Sequence, residues 1–242
     1  MTTQQTALVT GANKGIGFEI ARGLGKLGWS VGVGARDPER LADAVERLRS
    51  AGVDAFAVEL DVTDDASVRA AARLLEERGR LDALVNNAGI TGGMPQEPTT
   101  VDIETMRAAV ETNVFGVVRV TNALLPLLRR APSPRIVNVS STVGSLTYQS
   151  DPEAAAFAGP IALAYSPSKT YLNGVLLHYV RALEGTGVLM NNVCPGYVAT
   201  DLNGHRGTRT PEQGAAIAIK MATIDDDGPT GGYFNDEGRL PW

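Results

Sequence analysis

Apolar residues along this chain follow two recurring patterns. Short unbroken runs mark buried strands at Thr6–Thr10 (TALVT), Ser30–Ala35 (SVGVGA), Asp54–Leu60 (DAFAVEL), Arg135–Ser141 (RIVNVSS) and Val188–Gly196 (VLMNNVCPG), and at Leu81–Gly89 (LDALVNNAG), a strand with its exit loop. Between them, apolar positions recur at helical spacing over Gly15–Gly28, Pro38–Gly52, Asp64–Gly79, Val101–Arg130 and Tyr165–Glu184. Leu41, Val45 and Leu48 draw one face of the second helix and Gly52 ends it, while Asp64 and Asp65 open the third and Gly79 closes it. A short helix after Pro211 and a last strand near Gly231–Asn235 complete the order. Strands joined by helices through short loops predict one doubly wound parallel α/β sheet with helices on both faces. Without repeats or a linker, residues 1–242 read as one domain.

Composition narrows the partners. A chain of 242 residues, 43% of them hydrophobic, has the size and balance to bury one large core. Its 22 basic against 27 acidic residues leave a net charge of −5 and a pI near 5.1, which argues against nucleic acid and anionic membrane and for a small molecule. Cys194, the single cysteine, excludes an intramolecular disulfide. The opening MTTQQTALVTG lacks the basic region and apolar core of a secretory signal, and no apolar run reaches membrane-spanning length. A soluble, cytoplasmic protein is expected.

The first strand runs into TGANKGIG, residues Thr10 to Gly17. In a doubly wound sheet, the Rossmann fold, this first strand-to-helix turn is where a dinucleotide pyrophosphate meets a helix N-terminus. Glycine there admits the turn and lets phosphate approach the backbone, although three glycines also suit a plain tight turn. YSPSK places Tyr165 and Lys169 four residues apart on one helix face. A phenol with reference pKa about 10 is a poor acid or base at neutral pH, and a neighbouring ammonium would correct this by stabilising the phenolate. Surface pairs of this kind are also common. Ser141 ends the fifth strand at the same sheet edge, where it either holds a substrate oxygen or simply starts a turn.

Five motifs in order, TGANKGIG, NNAG, VNVSS, YSPSK and PGYVATD, make the chain similar to the short-chain dehydrogenase/reductase family over nearly its whole length. GARD, CPGYVATD and the terminal Trp242 resemble the carbonyl reductase group of that family. The resemblance implies a catalytic set of Asn113, Ser141, Tyr165 and Lys169. Tyr165 would be the acid/base, Lys169 would lower its pKa and hold the nicotinamide ribose, Ser141 would polarise the carbonyl, and Asn113 would support a water-linked proton path. Read without the family, Asn113 marks a helix irregularity or a buried polar anchor. The resemblance further implies cofactor contacts from Gly11, Asn13, Lys14, Gly15, Ile16 and Gly17, from Asp61 and Val62 at the adenine, and from the Asn86–Gly89 loop, including Ala88. Val198 and Thr200 would contact the carboxamide, with Pro195 and Gly196 before them also at the cofactor.

The second strand ends in GARD, so that by resemblance Ala35 stands where NAD enzymes carry an acid and Arg36 follows it. Arginine suits a 2′-phosphate, and Lys14 would add a second cation. NADP(H) is therefore expected over NAD(H). Asp37 competes with that reading or caps the next helix. The implied activity is an NADPH-dependent carbonyl reductase, reversible to alcohol oxidation. A reductase of ketoacyl or polyketide intermediates and a non-catalytic NADP(H) redox sensor stay open beside it.

Ser141 and Tyr165 are farther apart than in the compact family pattern, marking an insertion near residues 145–163, and a lid-like loop is expected near 197–210. Leu146, Tyr148, Tyr197 and Leu202 are the expected pocket walls. A homodimer through the two long helices is a further expectation of the resemblance, although the insertion before Tyr165 can cover that face. Cys194 and His178 read as packed side chains, Asp225–Asp227 as a solvated turn, and His205 lacks partners at metal spacing, so no metal site is expected.

Overall fold

The computed structural model describes residues 4–155 and 161–242. Its sheet has strand order β3-β2-β1-β4-β5-β6-β7-β8, with β1 Thr6–Thr10, β2 Ser30–Ala35, β3 Ala55–Glu59, β4 Ala83–Asn86, β5 Arg135–Val139, β6 Leu189–Val193, β7 Tyr233–Asn235 and β8 Gly238–Arg239. Seven strands run parallel. The eighth returns antiparallel beside β7, pairing Phe234 with Arg239, a departure from the all-parallel expectation that a short turn at Asp236 and Glu237 makes feasible.

Side-chain alternation divides the core between two faces. Ala7 and Val9 of β1 face a layer containing α1 (Gly15–Lys26), α2 (Pro38–Ser50) and α9 (Pro211–Ala222). Leu8, between them, faces α3 (Asp65–Arg78), α5 (Gly116–Leu128) and α8 (Tyr165–Ala182). Both faces of the central strands are therefore buried, which explains their unbroken apolar runs.

The segment expected as one helix from Val101 to Arg130 is α4 (Ile103–Val110), a π-turn at Glu111–Phe115, and then α5. Asn113 lies in the widened turn, where its side chain bonds outside the helix, and this gives the irregularity a physical cause. The insertion contains α6 (Leu146–Ser150) and α7 (Pro152–Ala155); the part of it at 156–160 lies outside the described residues. The segment expected as a lid is pinned at its base, where Ala199 N–H donates to Arg209 and Arg209 N–H to Tyr197, with a 3₁₀ turn at Asp201–Asn203. Among the described residues no helix is long and apolar enough to cross a membrane.

Candidate active site

The loops leaving the carboxyl ends of the parallel strands enclose a cleft of about 1070 Å³. Gly11, Asn13, Lys14, Gly15 and Ile16 form one lip, Ala35, Arg36 and Arg40 one end, Asp61 and Val62 the adjoining wall, and Tyr165 with Lys169 the opposite end. Gly15 has φ +56°, open to glycine without strain, at the mouth of α1. Gly17 does not line the cleft. A Cβ there would lie 2.4 Å from both Asn87 Nδ2 and Gly11 O, so its smallness lets the β4 exit loop close on the glycine turn.

At the far end from Tyr165, Asp37 accepts from the N–H groups of Glu39 and Arg40, each at 3.1 Å. It is the N-cap of α2, as one of its two readings expected, and it also lines the cleft, where its carboxylate stands 3.4 Å from Arg40 Nε. Arg36 and Arg40 both line the cleft, Arg40 unforeseen because nothing local separates it from an ordinary surface arginine. Asp61 is pushed upward by burial but ends below the usual carboxylate range, because Thr63 hydrogen-bonds it and Arg36 and Arg119 lie nearby. Lys14 is paired with Asp201 of the 3₁₀ turn, and Asp201 also bonds His205 at 2.7 Å. The second cation of the expected phosphate site is thus already engaged across the mouth of the cleft.

At the other end, Tyr165 and Lys169 occupy the first turns of α8. Burial pushes the Tyr165 phenol up to about 12, Cys194 adds to this, and the Ser141 hydroxyl beside it works in the opposite direction. Lys169 is only 4% exposed, and burial brings its ammonium down to about 8. Its Nζ donates to Val139 O at 2.8 Å. The expected lowering of the phenol by the ammonium is absent, since desolvation dominates both groups. Asn113 Oδ1 accepts from Ile90 N–H at 2.9 Å, and its Nδ2 donates to Ile90 O and Ser168 Oγ at the same distance. A Cβ on Gly89 would stand 3.1 Å from Asn113 Oδ1 and 3.6 Å from Lys169 Nζ, so this glycine keeps open the space between them.

Other expected contacts fall elsewhere. Asn86 is buried behind the cleft, while its neighbours Asn87, Ala88 and Gly89 line it. Its Nδ2 donates to Thr121 Oγ1 at 3.2 Å and to Asn138 Oδ1 at 2.9 Å. Asn138 donates to Asn192, and Asn192 to Asn173, each at 2.9 Å, while Ser140 Oγ donates to the same Asn173 oxygen at 2.7 Å. A buried row of amides therefore crosses three strands and ends beneath the serine pair. Pro195 and Thr200 line the cleft; Gly196 packs against Arg209, and Val198 is buried against Gly214. Of the expected pocket walls only Leu202 reaches the cleft. Leu146 and Tyr197 are exposed, and Tyr148 packs on the cluster of Cys194, Tyr233 and Leu240. Cys194 is buried as expected, but His178 is exposed on α8 rather than packed.

A doubly wound sheet with a glycine-rich first turn and a Tyr–Lys pair at the far end of the same cleft defines the class: a nucleotide-binding oxidoreductase fold. The chain belongs to the short-chain dehydrogenase family, whose model matches residues 5–210. It is 34% identical to mouse carbonyl reductase [NADPH] 1 over 100% of this chain and 99% of that protein. It is 32% identical to salutaridine reductase of Papaver bracteatum, over 97% and 95% of the respective chains. The NADPH-bound carbonyl reductase from chicken fatty liver superposes with a TM-score of 0.86 at 29% identity, covering 99% of each chain.

Proposed function

We propose that the protein is an NADPH-dependent carbonyl reductase that converts a ketone or aldehyde to the alcohol. The observation that carries this reading is the cleft itself, with Arg36 and Arg40 at one end and Tyr165 and Lys169 at the other. The names of relatives, carbonyl reductase [NADPH] 1 among them, agree with it.

The residues fit a nicotinamide dinucleotide. The glycine turn offers backbone N–H groups at the start of α1 for a pyrophosphate, and Arg36 and Arg40 offer paired donors for a 2′-phosphate. Lys169, with Nζ already directed to Val139 O, has further protons for ribose hydroxyls. The bound cofactor would supply the hydride. Tyr165, whose phenol remains protonated far above neutral pH, donates to the developing alkoxide, and Ser141 holds the same oxygen by hydrogen bond. Asn113 keeps Ile90 and α8 in register behind Lys169. A homodimer extends the reading: Phe115 and Tyr171 expose an edge-to-face pair, centroids 6.2 Å apart, on the surface of the π-turn and α8.

The test is NADPH oxidation followed by absorbance against a panel of ketones and aldehydes. Tight NADPH binding with no turnover across a broad panel would favour the sensor reading and sink this one.

Lys169 predicts a pH dependence. Its ammonium is the form that donates to the ribose, so NADPH affinity should be full below about 8 and weaken as pH rises through that value. The 2′-phosphate, with its second pKa about 6, stays charged through this range. Fluorescence titration should give a Kd that climbs across the midpoint in the wild type and is flat in Lys169→Met. A flat wild-type profile would remove Lys169 from ribose binding.

A further inference from the structure

The geometry points to Gln96 as a positioning residue that fixes Tyr165 from behind the stretch of cleft wall made by Thr91 and Gly93; the inference rests on the catalytic reading of Tyr165 above. Gln96 is fully buried, and its amide is used on both sides. Oε1 accepts from the N–H groups of Ala164 at 2.9 Å and Tyr165 at 3.2 Å. Nε2 donates to Thr91 O at 2.6 Å and Gly93 O at 2.5 Å. The main chain follows suit, Leu163 N–H donating to Gln96 O at 3.3 Å beside a bridge between Gln96 and Ala162.

The first N–H groups of a helix have no partner within it. Ala164, at the start of α8, brings no capping side chain, so the donors that open the helix are met by a residue 68 positions earlier in the chain. Thr91 and Gly93 line the cleft, as does Tyr165. One amide therefore ties a wall of the cleft to the backbone that carries the proton donor. Only glutamine meets the demand at this length, with two donors and an oxygen that accepts twice. Glutamate keeps the acceptor for α8 but turns a second oxygen on the carbonyls of Thr91 and Gly93, which it repels, and methionine fills the volume and loses all four bonds.

A tyrosine hydroxyl displaced by about 1 Å from its reacting oxygen costs about 10²-fold in rate. For Gln96→Met we expect kcat to fall about 10- to 100-fold with NADPH Kd unchanged. The solvent deuterium isotope effect on kcat should rise as proton delivery becomes limiting. Gln96→Glu should recover most of kcat, because α8 keeps its acceptor, and should raise KM for the ketone, because Thr91 and Gly93 are released. The measurements are NADPH fluorescence titration and steady-state kinetics in light and heavy water, with Tyr165→Phe run in parallel. A folded Gln96→Met enzyme with wild-type kcat overturns the proposal. So does a joint loss of kcat and NADPH binding with an unchanged isotope effect, which is the mark of a simple structural staple. Should Gln96→Met not fold, Gln96→Glu decides alone: near-normal kcat with raised ketone KM supports the proposal, and a kcat loss overturns it. Normal turnover by Tyr165→Phe would instead remove the catalytic reading beneath it, whatever the Gln96 variants do.

Discussion

Replacing Tyr165 by phenylalanine is expected to lower ketone turnover by about 10²-fold or more while NADPH binding survives. The substitution removes the phenol oxygen and retains the ring, so the start of α8 and the Gln96 bonds to it stay intact. A phenol pushed up to about 12 is almost wholly protonated at neutral pH, which suits a donor to an alkoxide and leaves a small fraction available as a base for alcohol oxidation. Oxidation should therefore gain from rising pH where reduction does not. Lys169→Ala should differ in kind, damaging both turnover and cofactor affinity, because its one buried ammonium serves the ribose and the proton donor alike in the proposed reaction. The check is kcat with saturating ketone beside a separate NADPH Kd. Retained turnover in Tyr165→Phe would refute the assignment.

The second large effect is a change of cofactor preference. Ala35 is 4% exposed and lines the cleft, so Ala35→Asp sets a carboxylate where it can accept from a ribose hydroxyl and repel a phosphate carrying about two negative charges. Arg36→Leu removes paired donors, and a lost charge-assisted hydrogen bond of this sort costs about 1.5–3 kcal/mol, a ten- to hundredfold effect. The double variant should lose NADPH efficiency and shift the ratio of kcat/KM toward NADH by that amount. Arg40, 3.4 Å from Asp37, and Lys14, held by Asp201, are the cations that remain to limit the switch. Removing Arg40 as well should carry the preference further. A wild type that prefers NADH, or a ratio indifferent to the double variant, would mean that the phosphate is read by other residues.

Much of this arrangement was legible in the chain because it depends on local pattern. Unbroken apolar runs announced strands buried on both faces, and the glycine turn and the four-residue spacing of Tyr165 and Lys169 are properties of neighbouring residues. What escaped depends on partners far along the chain. Lys14 looks free until Asp201, 187 positions later, folds over it. Asn86 looks like a cofactor contact until Asn138 and Thr121 claim its amide. Tyr148 follows Ser141 closely, yet turns toward Cys194 and Tyr233. At Asn113 the irregularity itself was legible, but not its partners, the backbone of Ile90 and the hydroxyl of Ser168. Gln96 has no local signal at all, since its meaning lies in four bonds to two separate segments.

The row of amides under the cleft acts as a key for sheet assembly. When two parallel strands slip by one residue, every side chain changes face, and apolar burial rejects the error. A slip of two residues returns each apolar side chain to its proper side, so burial alone discriminates weakly against it. Asn86, Asn138 and Asn192 stand level in the native pairing of β4, β5 and β6. The same two-residue slip would part them and strand buried amides at a cost of about 1–3 kcal/mol each. Polar atoms buried behind the cleft thereby proofread the alignment of the strands, and the loops that form the cleft inherit their spacing from that check.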